Sequence, residues 1–556
     1  MTGRRRTFTR RHVLGGAAVA AGAGLLAGPA GALARTDPTV FSRRLAMVDG
    51  VSPVVAAGRR FVAAGVQWAD PARVRIELRG RALGGRWSPW GLASVRGHGP
   101  DGAGPASAHS GEPLWFGPAD EVQLRSSVPV RGVRVQFVDL AAVASRLDGA
   151  ASARAAAFTL AQPVLPAGPG QPPIIARSAW AGRRHGPSAG PYYGAVRLAF
   201  VHHSDGPNGY SAGEVPAMIL AIYLFHRFTN GWHDIGYNFV IDAFGRIWEA
   251  RAGGIDEPVI GAQAGGYNTV STGVCMLGTF SARLPTPAAI SSLERLLAWK
   301  LALHGVPARG DVTVEVDPAA AFYTPFRPGQ RVLLPRVAGH RQGDSTECPG
   351  NALFARLPTI RTRVDELAGA PAQLTLAASH VRVAPGMPVL LGGKLSNLDG
   401  SPIPAAALAV QTVAGIGRTT TFATVTTAPD GTWSATLAPA TTALVRALHP
   451  AAPAAVSDLV EVDVAPVITL TLASTAPLRL AGTIAPSKRS VTLDVYKLSG
   501  PHRHLALSRR VAVHRGTFSA RLSLGRRARG RYEVVARSAA DAATVAAASA
   551  PVTVTV

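Results

Sequence analysis

Gly339-His340-Arg341-Gln342-Gly343-Asp344-Ser345-Thr346-Glu347-Cys348-Pro349 offers an imidazole and a thiol to one point in space. At this spacing His340 and Cys348 cannot share a strand or a single helical turn. A loop must therefore fold the pair onto one ion, and Gly343, Asp344 and Ser345 are the residue types such a loop needs. A third ligand is required. Far upstream, Leu198-Ala199-Phe200-Val201-His202-His203-Ser204 is an apolar run that reads as a buried strand delivering a histidine at its end. Two imidazoles and one thiolate are the donor set of an open, catalytic zinc site, whose fourth tetrahedral position holds water or substrate. A structural site would usually be closed by a fourth protein ligand, and no second cysteine lies nearby in sequence. A lone histidine at a strand end is usually only a satisfied polar residue, so the ligand reading depends on the text around it.

Between these two stretches, residues 195–202, 237–242, 246–249 and 272–278 read as strands. Ser211-Ala-Gly-Glu214 is a capping box opening a helix that carries Ile219, Ile222, Leu224 and Phe225. A second helix has Thr286 as N-cap, Pro287 in its first turn, a stripe of Ile290, Leu293, Leu297 and Leu301, and Gly305 at its end. Strands interleaved with helices imply an α/β domain with a mixed central sheet and helices on its faces.

Residues 174–368 also resemble the zinc-dependent N-acetylmuramoyl-L-alanine amidases of type 2, a family that includes peptidoglycan recognition proteins. The likeness runs through Arg177-Ser-Ala-Trp180, Phe200-Val-His-His-Ser204, Gly231-Trp-His-Asp-Ile-Gly-Tyr-Asn-Phe239, Gly266-Tyr-Asn268 leading into Gly273-Val-Cys-Met-Leu-Gly278, and the stretch from His340 to Cys348-Pro349. The resemblance implies Zn²⁺ bound by His202, His340 and Cys348, with Tyr237 as catalytic tyrosine and Thr346 in the second catalytic position. It implies hydrolysis of the amide between muramic acid and L-alanine, with peptidoglycan as partner. Two departures stand out. Residues 306–338 make a longer connection than the compact phage enzymes have, and Gln263 stands where many relatives show His. A non-catalytic peptidoglycan-binding protein of the same fold is the alternative, although receptors of the family typically lack the zinc cysteine. A cysteine peptidase would need Cys as nucleophile with a His base, and no second motif of that kind is present. A pure wall anchor would leave the ligand set unexplained.

The whole chain is multidomain: 556 residues with 47% hydrophobic content predict several cores. Met1 to Leu14 holds Arg10-Arg11, an uncharged Ala/Gly-rich segment follows, and Ala32-Leu33-Ala34 is a small-residue cleavage signature. Residues 1–34 thus read as a cleaved export signal of twin-arginine type, and the product is expected to be secreted or held at the cell wall. A retained anchor is disfavoured because residues 13–34 are rich in glycine and include Pro29. Residues 35–140 alternate apolar and polar side chains, as in Val74, Ile76, Leu78 against Arg75 and Glu77, which predicts a β-rich accessory domain. Its Trp87, Trp90 and Trp115 are expected in its core more than on a sugar-stacking surface. Residues 141–173 form an Ala- and Pro-rich linker.

After Gly369 the composition turns to Ala, Thr, Val, Pro and Gly, and Asp430-Gly-Thr-Trp-Ser-Ala-Thr-Leu-Ala438 echoes Arg515-Gly-Thr-Phe-Ser-Ala-Arg-Leu-Ser523. Two immunoglobulin-like β-sandwiches are expected, over 371–465 and 466–556. The first carries net charge −1 and the second +11, so the second is the expected contact for anionic cell-wall polymers. The chain as a whole is +24, but only four of its 57 basic residues are Lys, and no nucleic-acid-binding motif accompanies them. Nucleic acid is excluded as a partner on that ground, and a monomer is expected. Cys275 lies in an apolar run and Cys348 in a polar loop, so both sulfurs should be unpaired.

Overall fold

The computed structural model describes residues 39–69, 74–94, 109–140, 165, 170–415, 417–524 and 529–556. The export signal, and all but the end of the 141–173 linker, lie outside the described residues. Among the described residues, no helix is long and apolar enough to cross a membrane.

Six strands open the chain: β1 (Thr39–Val51), β2 (Val55–Trp68), β3 (Ile76–Arg81), β4 (Gly91–Leu92), β5 (His109–Ser110) and β6 (Leu114–Asp139). They form one sheet in the order β4-β3-β6-β2-β5, with β1 added on β6. The alternation works as read: Ile76, Leu78, Val133, Val135 and Phe137 are buried with Phe61, Trp68 and Leu124, while Arg75, Glu77 and Arg134 face outward. Trp87 and Trp90 correct the expectation of core tryptophans. They are half-buried, and guanidinium groups cover their rings: Arg79 stands over both, at 4.8 and 4.4 Å, Arg81 over Trp87 at 4.2 Å and Arg125 over Trp90 at 4.6 Å. Each guanidinium has its own side-chain acceptor, Arg81 on Glu121, Arg125 on Glu77 and Arg79 on Gln123. Cation–π stacking thus uses the aromatic faces that either a core or a sugar platform would need.

The α/β part has β7 (Ile174–Ile175), α1 (Ser178–Ala181), β8 (Leu198–His203), α2 (Val215–Phe228), β9 (Phe239–Ile241), β10 (Ile247–Glu249), β11 (Ser271–Met276), α3 (Pro287–Leu303), β12 (Asp311–Glu315), β13 (Arg331–Pro335), β14 (Val337–Gly339) and α4 (Asn351–Ala368). The central sheet runs β14-β8-β11-β9-β10-β7, parallel except for the antiparallel β9-β10 pair. Every residue of β8 and β11 is buried, which is why both read as continuous apolar runs. The expected capping box does not cap α2: the helix begins at Val215 with no side-chain cap, and Ser211 instead donates both its N–H and its hydroxyl to Glu214 Oε2, each at 2.8 Å. Thr286 does cap α3, its Oγ1 accepting the Ala289 N–H at 3.2 Å. The long connection contains a two-stranded hairpin, β12 with β13, before the chain returns to the sheet as β14. α4 buries Leu353, Leu357, Ile360 and Val364 on one stripe.

The accessory β sheet and the α/β part belong to one compact unit. Val62, Ala63 and Val138 share a core with Ile219, Ile222 and Phe225 of α2. Trp115, expected inside the β domain, packs instead against this shared core and donates from Nε1 to Glu214 Oε1 at 3.2 Å.

The other compact unit contains residues 368–556 and holds two pairs of sheets. One pair encloses Leu391, Leu408, Trp433, Val445 and Val462, and the other encloses Leu480, Leu493, Phe518, Tyr532 and Val534. The repeat is visible in three dimensions. Gly431 and Gly516 both adopt φ +79°, and each is followed two residues later by a buried aromatic, Trp433 and Phe518.

A candidate metal centre at the end of the central sheet

β8 carries His202 to the end of the sheet, fully buried. β14 runs parallel beside it with Gly339 opposite Val201, so the next residue, His340, emerges next to His202. Their ring centroids are 4.4 Å apart. The chain then folds back. Gly343 and Asp344 donate their N–H groups to His340 O at 3.0 and 3.1 Å, and Arg341 N–H donates to Cys348 O at 2.9 Å. A side chain at Gly343 would strike Tyr267 at 2.9 Å and Phe200 at 3.0 Å, so the tight return depends on glycine. Cys348 ends buried, its Sγ 3.7 Å from His202 Nδ1 and accepting the His203 N–H at 3.3 Å. One ligand atom from each of His202, His340 and Cys348 lies within 4.8 Å of the others. Bond lengths of about 2.0 Å to nitrogen and 2.3 Å to sulfur put the edges of a tetrahedral zinc site at about 3.3 Å between nitrogens and about 3.5 Å from nitrogen to sulfur, so closure asks for shifts of about 1 Å.

The outer contacts orient both rings. Gln263 Nε2 donates to Ser271 Oγ at 2.9 Å, and Ser271 Oγ donates onward to Tyr267 O at 2.8 Å. That turns Gln263 Oε1 toward His202 Nε2, 2.5 Å away, so Nε2 carries the proton and Nδ1 faces the centre. His340 Nε2 stands 2.9 Å from Asp344 Oδ2, which also accepts the Gly265 N–H at 2.8 Å. His340 is thereby presented through Nδ1 as well. Burial pushes the Cys348 thiol and the Asp344 carboxyl up. A dication would reverse both shifts, and its two positive charges would balance one thiolate and one carboxylate in a dry site. The donor set therefore fits a zinc ion.

The two remaining predicted residues flank this group. Tyr237 is fully buried just ahead of β9, its ring 5.4 Å from that of His202, so it is both a core residue and a neighbour of the site. Burial holds its phenol well above the usual range, and it stays a donor at neutral pH. Thr346 Oγ1 accepts the Cys348 N–H at 3.2 Å, which fixes the loop and leaves its own hydrogen for donation. The segment before Tyr237 is tied down by Asp234, which accepts from Arg177 Nη2 at 2.7 Å and from the Ala252 N–H at 3.0 Å. Asp205 lies in Ser204-Asp205-Gly206, which reads in sequence only as a turn. It sits beyond the strand end at φ +52°, with Oδ1 4.0 Å from His203 Nε2, and burial lifts its carboxyl to about 6.

Residues 192–351 match the family described as N-acetylmuramoyl-L-alanine amidase. The domain belongs to the type-2 amidase and peptidoglycan recognition family. Peptidoglycan-recognition protein LB of Drosophila melanogaster is 29% identical over 211 residues, 37% of this chain and 78% of that protein. The N-acetylmuramoyl-L-alanine amidase of Homo sapiens is 30% identical over 199 residues, 34% of this chain but only 28% of that protein. A solved structure of peptidoglycan recognition protein-LE in complex with tracheal cytotoxin, a monomeric diaminopimelic acid-type peptidoglycan, is 27% identical. The match covers 34% of this chain and 92% of that one, with a TM-score of 0.25. Residues 29–157 match the family described as Rv3811 N-terminal galactose-binding domain-like. Within the amidase domain, Gln263 takes the outer place on His202, and it does so as a hydrogen-bond acceptor of fixed orientation.

Proposed function

We propose that the protein is a secreted zinc hydrolase that cleaves the amide joining the lactyl group of N-acetylmuramic acid to L-alanine in peptidoglycan. The observation that carries this reading is the convergence of His202, His340 and Cys348 in a domain of the amidase family. His202 and His340 would hold the ion through Nδ1 and Cys348 through its thiolate, with one tetrahedral position left open. Bound zinc supplies a Lewis acid for the carbonyl and an acidified water for attack. Tyr237 donates its phenolic proton in a hydrogen bond to the oxyanion that develops on the scissile carbonyl. Thr346 is a second, weaker donor, since a hydroxyl brings no positive charge. The buried Cys348 thiol, 3.7 Å from an imidazole nitrogen, supports the hydrolase over a non-catalytic recognition protein. Product analysis tests the reading: new L-alanine amino termini should appear without new reducing sugar ends, and chelation should stop their release. Binding without either product would leave a recognition protein, and new reducing ends would mean a glycosidase.

The outlying regions fit the same role. The signal at residues 1–34 would export the folded enzyme to the cell wall, where a monomer would act. We read the four sheets of residues 371–465 and 466–556 as two immunoglobulin-like sandwiches. In the second, the edge strand His502–Ala512 exposes Arg503, Arg509 and Arg510, consistent with a role in holding anionic wall polymers.

A further inference from the structure

Glu112 belongs to the N-terminal β domain, in the short connection from β5 to β6, yet its carboxylate is buried against the amidase domain. The connection is rigid. Gly111 N–H donates to Val66 O at 3.0 Å, and a side chain at Gly111 would lie 1.7 Å from Ala93 O. Glu112 Oε2 and Oε1 lie 3.1 and 3.3 Å from Nε2 of His226, a fully buried residue of α2. On the other side of the same ring, His226 Nδ1 accepts the backbone N–H of Gly236 at 3.1 Å. A backbone N–H can only donate, so Nδ1 is unprotonated, and the ring hydrogen sits on Nε2 and points at Glu112. Gly236 is held from its other side too, because its carbonyl accepts the Ala262 N–H at 2.9 Å. The next residue is Tyr237, whose ring lies 5.9 Å from His226 and 5.4 Å from His202.

The β domain also grips both ends of α2. Trp115 Nε1 donates to Glu214 Oε1 at 3.2 Å, Gln67 Nε2 to Thr229 O at 3.2 Å and Ser110 Oγ to Asn230 Oδ1 at 2.8 Å. A side chain at Gly65 would overlap the Phe225 ring at 2.5 Å, so this aromatic side chain of α2 packs directly on the backbone of β2. Glu112 is therefore delivered to His226 by a rigid seam. Its negative charge also acts on the Tyr237 phenol, adding to burial in keeping it protonated.

We propose that Glu112 is a positioning residue for Tyr237: it fixes the tautomer and orientation of His226, which in turn holds the peptide group that aims the phenol. The β domain is then part of the catalytic apparatus and not a detachable targeting module. This inference rests on the amidase reading above, in which Tyr237 is the oxyanion donor.

The test uses the full-length, zinc-loaded protein with a soluble muropeptide as substrate. Misplacing a reacting group by about 1 Å can cost up to about 10²-fold in rate, so Glu112→Ala should lower kcat by about tenfold with KM and zinc content unchanged. Glu112→Gln keeps an acceptor for His226 Nε2–H and should recover most of the loss. In a Tyr237→Phe background, Glu112→Ala should cost nothing more. Wild-type kcat in Glu112→Ala, a change in KM alone, or the same loss with Tyr237 already replaced would overturn the proposal. Should Glu112→Ala fail to fold, Glu112→Asp, which keeps the charge and shortens the reach, takes its place, with the same losses expected and the same outcomes overturning it. The carbon-13 resonance of the Tyr237 Cζ, assigned through Tyr237→Phe, reads the phenol without turnover. It should move in Glu112→Ala, and an unmoved resonance refutes the positioning role. A wild-type protein that turns over no muropeptide would sink the amidase reading by itself, and the resonance would still decide what Glu112 does.

Discussion

Asp344→Ala is the perturbation that tests most directly how the proposed metal centre is built. The Asp344 side chain is fully buried, and its Oδ2 accepts two hydrogen bonds, from His340 Nε2–H at 2.9 Å and from Gly265 N–H at 2.8 Å. Alanine removes the acceptor that the two bonds share while leaving the three proposed ligands in place. Loss of the partner that orients a ligating histidine typically weakens metal binding by about 10- to 100-fold, or about 1.4–2.7 kcal/mol. The Gly265 N–H, left unsatisfied in a buried site, adds about 1–3 kcal/mol of destabilisation to the fold. Asp344→Asn keeps one oxygen for these donors and should show a smaller loss on both counts. Competition with a chromophoric zinc chelator at fixed pH reads the affinity, and thermal denaturation in excess chelator reads the fold without metal. Cys348→Ser sets the floor of the series, because it removes a ligand outright and should leave the fold intact with little zinc. If Asp344→Ala binds zinc as tightly as wild type, His340 is not held for the metal by this carboxylate. Equal zinc in wild type and Cys348→Ser would remove the site altogether.

Tyr237→Phe should lower turnover with little loss of zinc, by the roughly 2.7–4 kcal/mol typical of one oxyanion donor, and near-wild-type turnover would make Tyr237 a packing residue only. Asp205 titrates higher in the fold than outside it, about 6 against an ordinary 3.8, because burial outweighs its Thr279 hydrogen bond and Glu347 adds repulsion. Such a group contributes stability below the unfolded value and loses it as pH rises through about 6, which at 1.36 kcal/mol per unit amounts to about 3 kcal/mol. In chelator, Asp205→Asn should thus gain on wild type between pH 4 and pH 6, and parallel stability curves would show that the carboxyl is not penalised. Deleting residues 466–556 should reduce salt-sensitive pelleting with cell walls and spare turnover of soluble muropeptides, since exposed charges are screened over about 8 Å at physiological salt. Undiminished pelleting across a salt series would assign targeting elsewhere.

What the sequence by itself determined was everything carried by short-range pattern. A buried strand must be apolar on both faces, and residues 198–203 are apolar until the histidines that end them. A capped helix must begin with an acceptor side chain, and Thr286 supplies one. Tight turns need glycine in the left-handed region, and Gly431 and Gly516 mark the same turn in both repeats. The stripe of α4, at Leu353, Leu357, Ile360 and Val364, follows the same helical spacing. The tertiary structure alone decided which side chains meet across the chain. Glu112 and His226 are 114 positions apart and lie in different domains, and no periodicity relates them. Arg79 could be placed on a strand from sequence, but not between Trp87 and Trp90, because cation–π partners are chosen by sheet register and loop path. Asp344 could be read as a loop residue. Its role as the carboxylate behind His340 follows from the 3₁₀ turn at His340–Gln342, which brings a residue four positions on back to the ring. Hydrogen bonding inside a dry core depends on distances of about 3 Å, and only the packed chain sets those.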